Sequence, residues 1–114
     1  MPNTAIQRDA LVRGCCGLVD PGMGDAEAEL VAARFKALAD PTRVRILNLL
    51  VRNPELCVCD MNASFDLSQP TVSHHLSILK KAGLVDSDMR GRWCFYRANT
   101  QAISALAGVL EVER

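Results

Sequence analysis

The sequence lacks a long hydrophobic run, has few aromatic residues and carries no net charge. Its apolar stretches are far too short to span a bilayer, and it does not open with a charged segment followed by an apolar one. We therefore expect no membrane anchor and no secretion signal, and a cytoplasmic location. The 114 residues, 49% hydrophobic and 23% charged, predict one small globular domain.

The absence of net charge hides an uneven distribution. Between Leu67 and Arg97 the chain has five basic residues against the two acids Asp86 and Asp88, so this segment carries an excess of three positive charges. A locally basic segment can bind phosphate groups even when the whole molecule is neutral. A solvated charged face would have the same composition, and charge alone does not separate the two interpretations.

Five cysteines are many for a chain of this length. In a reducing cytoplasm, they indicate metal or redox chemistry more than a disulfide framework. Cys15 and Cys16 are adjacent near the start, and Cys57 and Cys59 are one residue apart in ELCVCD (55–60). The fifth, Cys94, lies between Trp93 and Phe95 and is expected to pack as a small hydrophobe.

The pattern of apolar residues divides the chain into an arm, residues 1–24, and a folded domain, residues 25–114. The arm is expected to be helical in part at most. Two helices follow, one from Asp25 to near Ala39 and one from Pro41 to Asn53, with Asp40 as the N-cap of the second. The first has Val31, Phe35 and Leu38 on one face, and the second carries Val44, Leu47, Leu50 and Val51.

The sequence pattern in the second half of the domain predicts two helices, a β-hairpin and a last helix. A short helix runs from ELCVCD to about Phe65, and a fourth is capped by Ser68 and ended by Gly83, with Val72, Leu76 and Leu79 inward. Strands at 84–88 and 92–97 are joined through Met89-Arg90-Gly91. A last helix starts near Thr100, with Ile103, Leu106 and Leu110 on its inner side.

This order, α-α-α-α-β-β-α, predicts a mainly α fold with a β-hairpin wing, a winged helix-turn-helix. In that design the second helix of the motif enters the major groove, and the hairpin reaches the neighbouring backbone. Small polar groups on the fourth helix can approach base edges, although an ordinary polar helix face would show similar residues. The candidate DNA-binding residues are Ser68, Gln69, Thr71, Ser73, His74, Arg90 and Arg92.

Four segments together resemble the ArsR/SmtB family of repressors: KALADPTRVRIL (36–47), ELCVCD (55–60), SQPTVSHHLSILKKAGLV (68–85) and RGRWCFYR (90–97). The resemblance implies a homodimeric winged-helix repressor, not an enzyme, that releases a near-palindromic double-stranded operator when it binds a metal or metalloid. It implies no permanent cofactor. The half-sites would lie about 34 Å apart, one turn of DNA.

Within this resemblance, ELCVCD is similar to the family's thiolate site. The last helix contains no histidine, so the family's Asp/His/Glu site is set aside. Asn62 stands where the arsenic-sensing branch often has a third cysteine. A further ligand must come from elsewhere, which makes Cys15 and Cys16 candidates beside Cys57 and Cys59.

The directions of the cysteine side chains and the softness of thiolate ligands limit which ions these thiols can bind and how. Residues i and i+2 point about 200° apart on a helix, so Cys57 and Cys59 share an ion only if the helix begins late or is distorted at its first turn. Thiolates select soft ions. Arsenite, As(III), is favoured, with Sb(III), Cd(II), Pb(II) and Hg(II) as alternatives. A repressor that senses thiol oxidation is a second alternative.

Overall fold

The computed structural model describes residues 12–14 and 17–112, and this part of the chain forms five helices and five strands. In chain order they are β1 Val12–Gly14, β2 Gly17–Val19, α1 Asp25–Ala37, α2 Pro41–Arg52, β3 Leu56–Cys57, α3 Val58–Phe65, α4 Gln69–Lys81, β4 Val85–Arg90, β5 Trp93–Ala98 and α5 Thr100–Val109. Strands β1 and β2 pair with each other. A separate antiparallel sheet has the order β3-β5-β4.

Side-chain caps fix where the helices begin. Asp40 accepts a hydrogen bond from the Arg43 N–H at 3.1 Å, and Asn99 accepts one from the Ala102 N–H at 3.1 Å. Ser68 caps α4 through the Thr71 N–H at 3.3 Å. These bonds satisfy N–H groups that have no partner within the helix. Gly83 follows the C-terminal end of α4. Its φ of +78° makes it the left-handed cap predicted from the sequence.

The hydrophobic core lies against the inner face of α4. Val72, Leu76 and Leu79 are fully buried, as predicted, and pack with residues of α2, α3 and the sheet. The apolar residues of the other helical patterns do not all turn inward, because Val44, Val51 and Leu110 are about half exposed or more. Helix α2 buries Ile46, Leu47 and Leu50 instead, and α5 buries Ala102 and Leu106. Both helices carry apolar residues on more than one face, so periodicity alone did not fix which face turns inward.

Helix α1 packs more loosely than its pattern suggested. Its predicted inward residues Val31 and Leu38 are only partly buried, and Phe35 is 38% exposed. Arg34 on α1 donates to the Ala82 carbonyl at 3.0 Å, which ties this helix to the end of α4.

The wing is the predicted hairpin, with strand ends that differ by one or two residues from the prediction. Strand β4 continues to Arg90, which pairs with Trp93, and the turn lies at Gly91 and Arg92. The structure adds strand β3, which the sequence did not predict, and which pairs Cys57 with Phe95. In the arm, residues 12–14 and 17–19 form paired strands, and none of its described residues is helical. Among the described helices, none is both long and apolar enough to cross a membrane.

Candidate metal centre and nucleic-acid interface

The two cysteines of ELCVCD converge at the start of α3. Cys57 has an extended backbone, with φ −89° and ψ 166°, and serves as the N-cap, so the helix begins only at Val58. The Cα atoms of Cys57 and Cys59 are 5.4 Å apart, and the two residues are joined as a disulfide. A late helix start is the condition under which their sulfurs can face one another, and the structure meets it. Cys57 is buried, and Cys59 is exposed.

Asp60 joins the thiol pair and was missed in the sequence. Its Oδ2 accepts a hydrogen bond from the Cys57 N–H at 3.1 Å and lies 3.3 Å from the Cys57 Sγ. The possible ligand atoms of Cys57, Cys59 and Asp60 all lie within 4.8 Å of one another. An acid three residues after the N-cap is a capping-box signal, which could have identified this residue.

The third ligand of the predicted ion site is not fixed by these residues. Cys15 and Cys16 lie outside the described residues. Asn62, which stands in place of a third cysteine, has a structural role. In the amide orientation that satisfies both of its groups, it donates to the Val58 carbonyl at 3.0 Å and accepts from the Gln69 N–H at 3.2 Å. Asn62 thus links the first turn of α3 to the first turn of α4.

A cleft of about 170 Å³ opens beside the thiol pair, where α3, α4 and the wing meet. Cys57, Cys59, Gln69, Arg92, Trp93 and Cys94 are among the residues that line it. Cys94 is half-buried and borders this cleft, so it is not the fully packed hydrophobe expected from the sequence. Cys94 and Tyr96 are two residues apart on β5, so their side chains lie on one face of the strand. Burial, followed by a hydrogen bond with the Cys94 thiol, raises the pKa of Tyr96.

Some side chains on the outer face of α4 cap the helix, and others take no part in the cap. Ser68 and Thr71 are exposed, and their hydroxyl oxygens lie 2.8 Å apart, so both contribute to the cap. Gln69 and His74 are exposed, and Ser73 is half-buried. His75 turns toward α2, where its Nδ1 lies 3.2 Å from Nη1 of Arg43. This contact engages His75 within the protein, whereas the candidate His74 remains exposed.

On the wing, Arg90 is held by acidic neighbours. Its Nη1 donates to Glu55 Oε1 at 2.8 Å, its Nη2 to Glu55 Oε2, and its Nε to Asp88 at 3.1 Å. The guanidinium also stacks 4.7 Å from the Phe95 ring centroid. The hydrogen bond from Arg90 lowers the pKa of Glu55 and keeps its carboxylate charged.

Glu55, whose role the sequence did not reveal, also lies 3.7 Å from Arg97. Arg92 at the hairpin turn is exposed and makes no ion pair with any of the described residues. The two wing arginines proposed for DNA binding are therefore not equivalent. Arg92 is available to a phosphate, whereas Arg90 must first exchange its carboxylate partners.

Comparison with known proteins agrees with this geometry. The family described as bacterial regulatory protein, arsR family, matches residues 40–87, from the cap of α2 to the first half of the wing. A helix-turn-helix-type transcriptional regulator of Methanocaldococcus jannaschii, itself uncharacterised, is 52% identical over 68 residues, which are 60% of this chain and 76% of that protein. The chain belongs to the ArsR family.

Two further relatives are named as regulators of arsenical or cadmium resistance. The arsenical resistance operon repressor of Bacillus subtilis is 34% identical over 87 residues, covering 74% of this chain and 83% of the repressor. The cadmium resistance regulatory protein CadC of Listeria innocua is 47% identical over 66 residues, 58% of this chain and 56% of CadC. The chain thus spans little more than half of CadC.

Solved structures share the fold. An ArsR-like transcriptional regulator from Rhodococcus sp. RHA1 has a TM-score of 0.68 at 30% identity, covering 75% of this chain and 80% of that one. A homodimeric winged helix-turn-helix domain from Mycobacterium bovis has a TM-score of 0.65 at 31% identity, covering 76% and 83%. This ArsR-family chain is accordingly a DNA-binding transcriptional regulator and not an enzyme.

Proposed function

We propose that this ArsR-family protein is a repressor that releases its operator when cysteine thiolates bind trivalent arsenic or antimony. The observation that carries the proposal is the position of Cys57 and Cys59. They meet at the start of α3, beside a cleft also lined by Gln69 of α4 and Arg92 of the wing. An ion held there lies next to both elements that contact DNA in a winged helix-turn-helix.

The DNA-binding unit is a homodimer of residues 25–114 on a near-palindromic operator. Large apolar side chains remain exposed on α1 and after α5, among them Leu30, Phe35, Leu110 and Val112. Exposed apolar residues of this kind are typical of an unoccupied protein interface. The homodimeric state of the M. bovis neighbour supports the same assembly. Each protomer then presents one α4 helix, with Gln69, Ser73 and His74 toward the bases.

The ion site combines the α3 cysteines with the arm, residues 1–24. Both Cys15 and Cys16 with one of Cys57 and Cys59 would give arsenic three sulfurs, and all four would suit a tetrahedral cadmium ion. The B. subtilis relative's name supports arsenic, and the name of CadC supports cadmium as the alternative, with lead and mercury behind it. Binding requires the reduced thiols and displaces their protons, so apparent affinity rises with pH.

An arsenite titration of the operator complex tests the proposal. Reduced parent protein on a fluorescent operator should dissociate as arsenite is added, whereas Cys57→Ser and Cys59→Ser should need far more arsenite. Ala63→Ser, a substitution at an exposed position of the same helix with no sulfur removed, serves as a control for disturbance of α3. Release of both cysteine variants at the parent's arsenite concentration would contradict the proposed site.

A redox-sensing repressor is a second candidate, because the structure joins Cys57 and Cys59 as a disulfide. A peroxide would oxidise the two thiols to the disulfide and be reduced to water. Peroxide-induced release that a dithiol reductant reverses, without any response of the reduced protein to arsenite, would favour this candidate over ion sensing. Release by arsenite under strictly reducing conditions would exclude oxidation as the trigger.

A further inference from the structure

Two side chains bind the N–H groups at the start of α4. The first turn of this helix begins with Gln69, Pro70 and Thr71. Pro70 has no N–H, and the Thr71 N–H is bound by the Ser68 hydroxyl at 3.3 Å. The Gln69 N–H lies 3.2 Å from the side-chain oxygen of Asn62, which belongs to α3. A side chain of the preceding helix therefore completes the cap of α4.

The same Asn62 side chain also binds the segment that carries the thiol pair. Its NH2 group donates to the Val58 carbonyl at 3.0 Å. The reverse amide orientation would set its oxygen against this carbonyl and its NH2 against the Gln69 N–H, so neither hydrogen bond could form. Val58 lies between Cys57 and Cys59 in the chain. One amide group thus joins the backbone between the two cysteines to the first turn of α4.

We propose that Asn62 is a positioning residue, which transmits ion binding at Cys57 and Cys59 to α4. This inference rests on the proposed function and names the contact through which that site regulates DNA binding. In the ion-free protein, Asn62 holds the first turn of α4 through the Gln69 N–H. Gln69 is a candidate contact to the bases and lines the cleft beside the thiol pair, so a displacement of this turn changes the fit of α4 to the major groove.

Ion binding changes the backbone next to this contact. In the structure the two sulfurs are bonded to each other, whereas sulfurs that share an ion are each bonded to that ion, together with the thiolates of the arm. Because Cys57 and Cys59 are two residues apart, a new direction of their side chains turns the peptide groups on either side of Val58. A turn of the Val58 carbonyl draws the Asn62 amide with it or breaks their hydrogen bond. Either change frees the Gln69 N–H from the Asn62 oxygen.

Two substitutions separate the cap of α4 from the link to α3. Asn62→Ala removes both hydrogen bonds. Asn62→Asp keeps an acceptor for the Gln69 N–H and loses the donor to the Val58 carbonyl. A carboxylate is also favourable at a helix N-terminus, so Asn62→Asp retains the cap while it cuts the link.

Ser64 provides a matched control on the same helix. Its hydroxyl donates to the Asp60 carbonyl, four residues earlier, at 3.1 Å. Asn62 binds the Val58 carbonyl at the same spacing, but the Ser64 bond stays within α3. Ser64→Ala therefore removes a side-chain bond to a carbonyl of α3 and leaves the contact with α4 intact.

The test measures how strongly arsenite weakens operator binding in each protein. Fluorescence anisotropy gives the operator affinity of the reduced protein without arsenite and with saturating arsenite, and calorimetry on the free protein verifies saturation. The ratio of the two affinities cancels any effect of a substitution on operator binding itself. We expect this ratio to be about 2- to 30-fold smaller in Asn62→Ala and Asn62→Asp than in the parent, the range in which single residues change coupling. Ser64→Ala should match the parent.

Hydrogen exchange of the Gln69 N–H, followed by NMR on the ion-free proteins, tests the contact directly. This N–H should exchange faster in Asn62→Ala than in the parent, and Asn62→Asp should retain its protection. Arsenite should accelerate the exchange in the parent. Equal exchange in the parent and Asn62→Ala would overturn the inference, because the Asn62 oxygen would then not hold the Gln69 N–H.

The possible failures are distinguishable. An unchanged ratio in Asn62→Asp, whatever Asn62→Ala does, shows that the link to α3 carries no coupling, and the proposed function still stands. An equally reduced ratio in Ser64→Ala also overturns the inference, since any disturbance of α3 would then suffice. If saturating arsenite leaves the parent's operator affinity unchanged, the proposed function fails together with this inference.

Discussion

The ion pair between Glu55 and Arg90 predicts that one carboxylate limits the strength of DNA binding. Glu55 contacts both η nitrogens of Arg90 and lies 3.7 Å from Arg97, so it neutralises positive charge on the surface that a wing presents to DNA. Glu55→Gln keeps the shape of the side chain and removes its charge. We expect this variant to bind its operator more tightly than the parent and with a steeper dependence on salt.

The magnitude follows from counterion release. Each additional phosphate contact steepens the slope of log affinity against log salt by about 0.9, and a dimer with two wings would gain about 1.8. For a fourfold rise in salt, affinity would then fall about 12-fold more in the variant than in the parent. The contribution of this exposed pair to folding stability is small, so the effect should be visible in DNA binding and not in denaturation.

Fluorescence anisotropy of a labelled operator, measured over a series of salt concentrations, gives both slopes. Glu29→Gln, the same charge change on α1, is the matched control and should follow the parent. The lowered pKa of Glu55 means that its carboxylate is ionised throughout the neutral range, so the difference between parent and Glu55→Gln should not change between pH 6 and 8. Equal slopes for all three proteins would refute the assignment of Arg90 to the DNA-facing surface.

Three further predictions follow from the described contacts. Arg92→Ala should weaken operator binding and lower the salt slope more than Arg90→Ala does, because Arg90 is already paired; equal losses in the same anisotropy assay would contradict this. Leu76→Ala should lower the free energy of unfolding by about 2–5 kcal/mol in urea denaturation, since the Leu76 side chain is fully buried on the inner face of α4. The Arg43 N–H lowers the pKa of Asp40, so the stability that Asp40 adds is present at neutral pH and lost as pH falls below about 4. The stability difference between parent and Asp40→Ala should narrow over that range, and a difference that stays constant would rule out the charged cap.

The sequence predicted the elements that have strong local signals. Caps at Asp40 and Ser68 and the left-handed Gly83 depend on neighbouring residues only, and each lies where it was expected. The fully buried side of α4 was also predicted, because its polar face contains few apolar residues to compete with Val72, Leu76 and Leu79.

The features that escaped prediction depend on contacts between distant parts of the chain. Strand β3 has two residues and exists only because β5 lies beside it. The Glu55–Arg90 pair joins residues 35 positions apart. The position of Cys94 at the cleft likewise follows from the β3–β5 register, whereas its apolar neighbours Trp93 and Phe95 suggested ordinary packing. Neither composition nor periodicity contains this information.

The same register explains why ligand binding and DNA binding can be coupled in so small a protein. Through β3, Cys57 is hydrogen-bonded into the wing sheet, and through Asn62 the first turn of α3 is joined to Gln69 of α4. An ion bound at Cys57 and Cys59, as proposed, would therefore act on both the wing and α4 without a long pathway. A coupling free energy of about 3 kcal/mol would weaken operator binding about 150-fold, and by linkage the operator must weaken ion binding by the same factor. Measuring arsenite affinity with and without operator gives this factor, and equal affinities in the two states would mean that ion binding and DNA binding are not coupled.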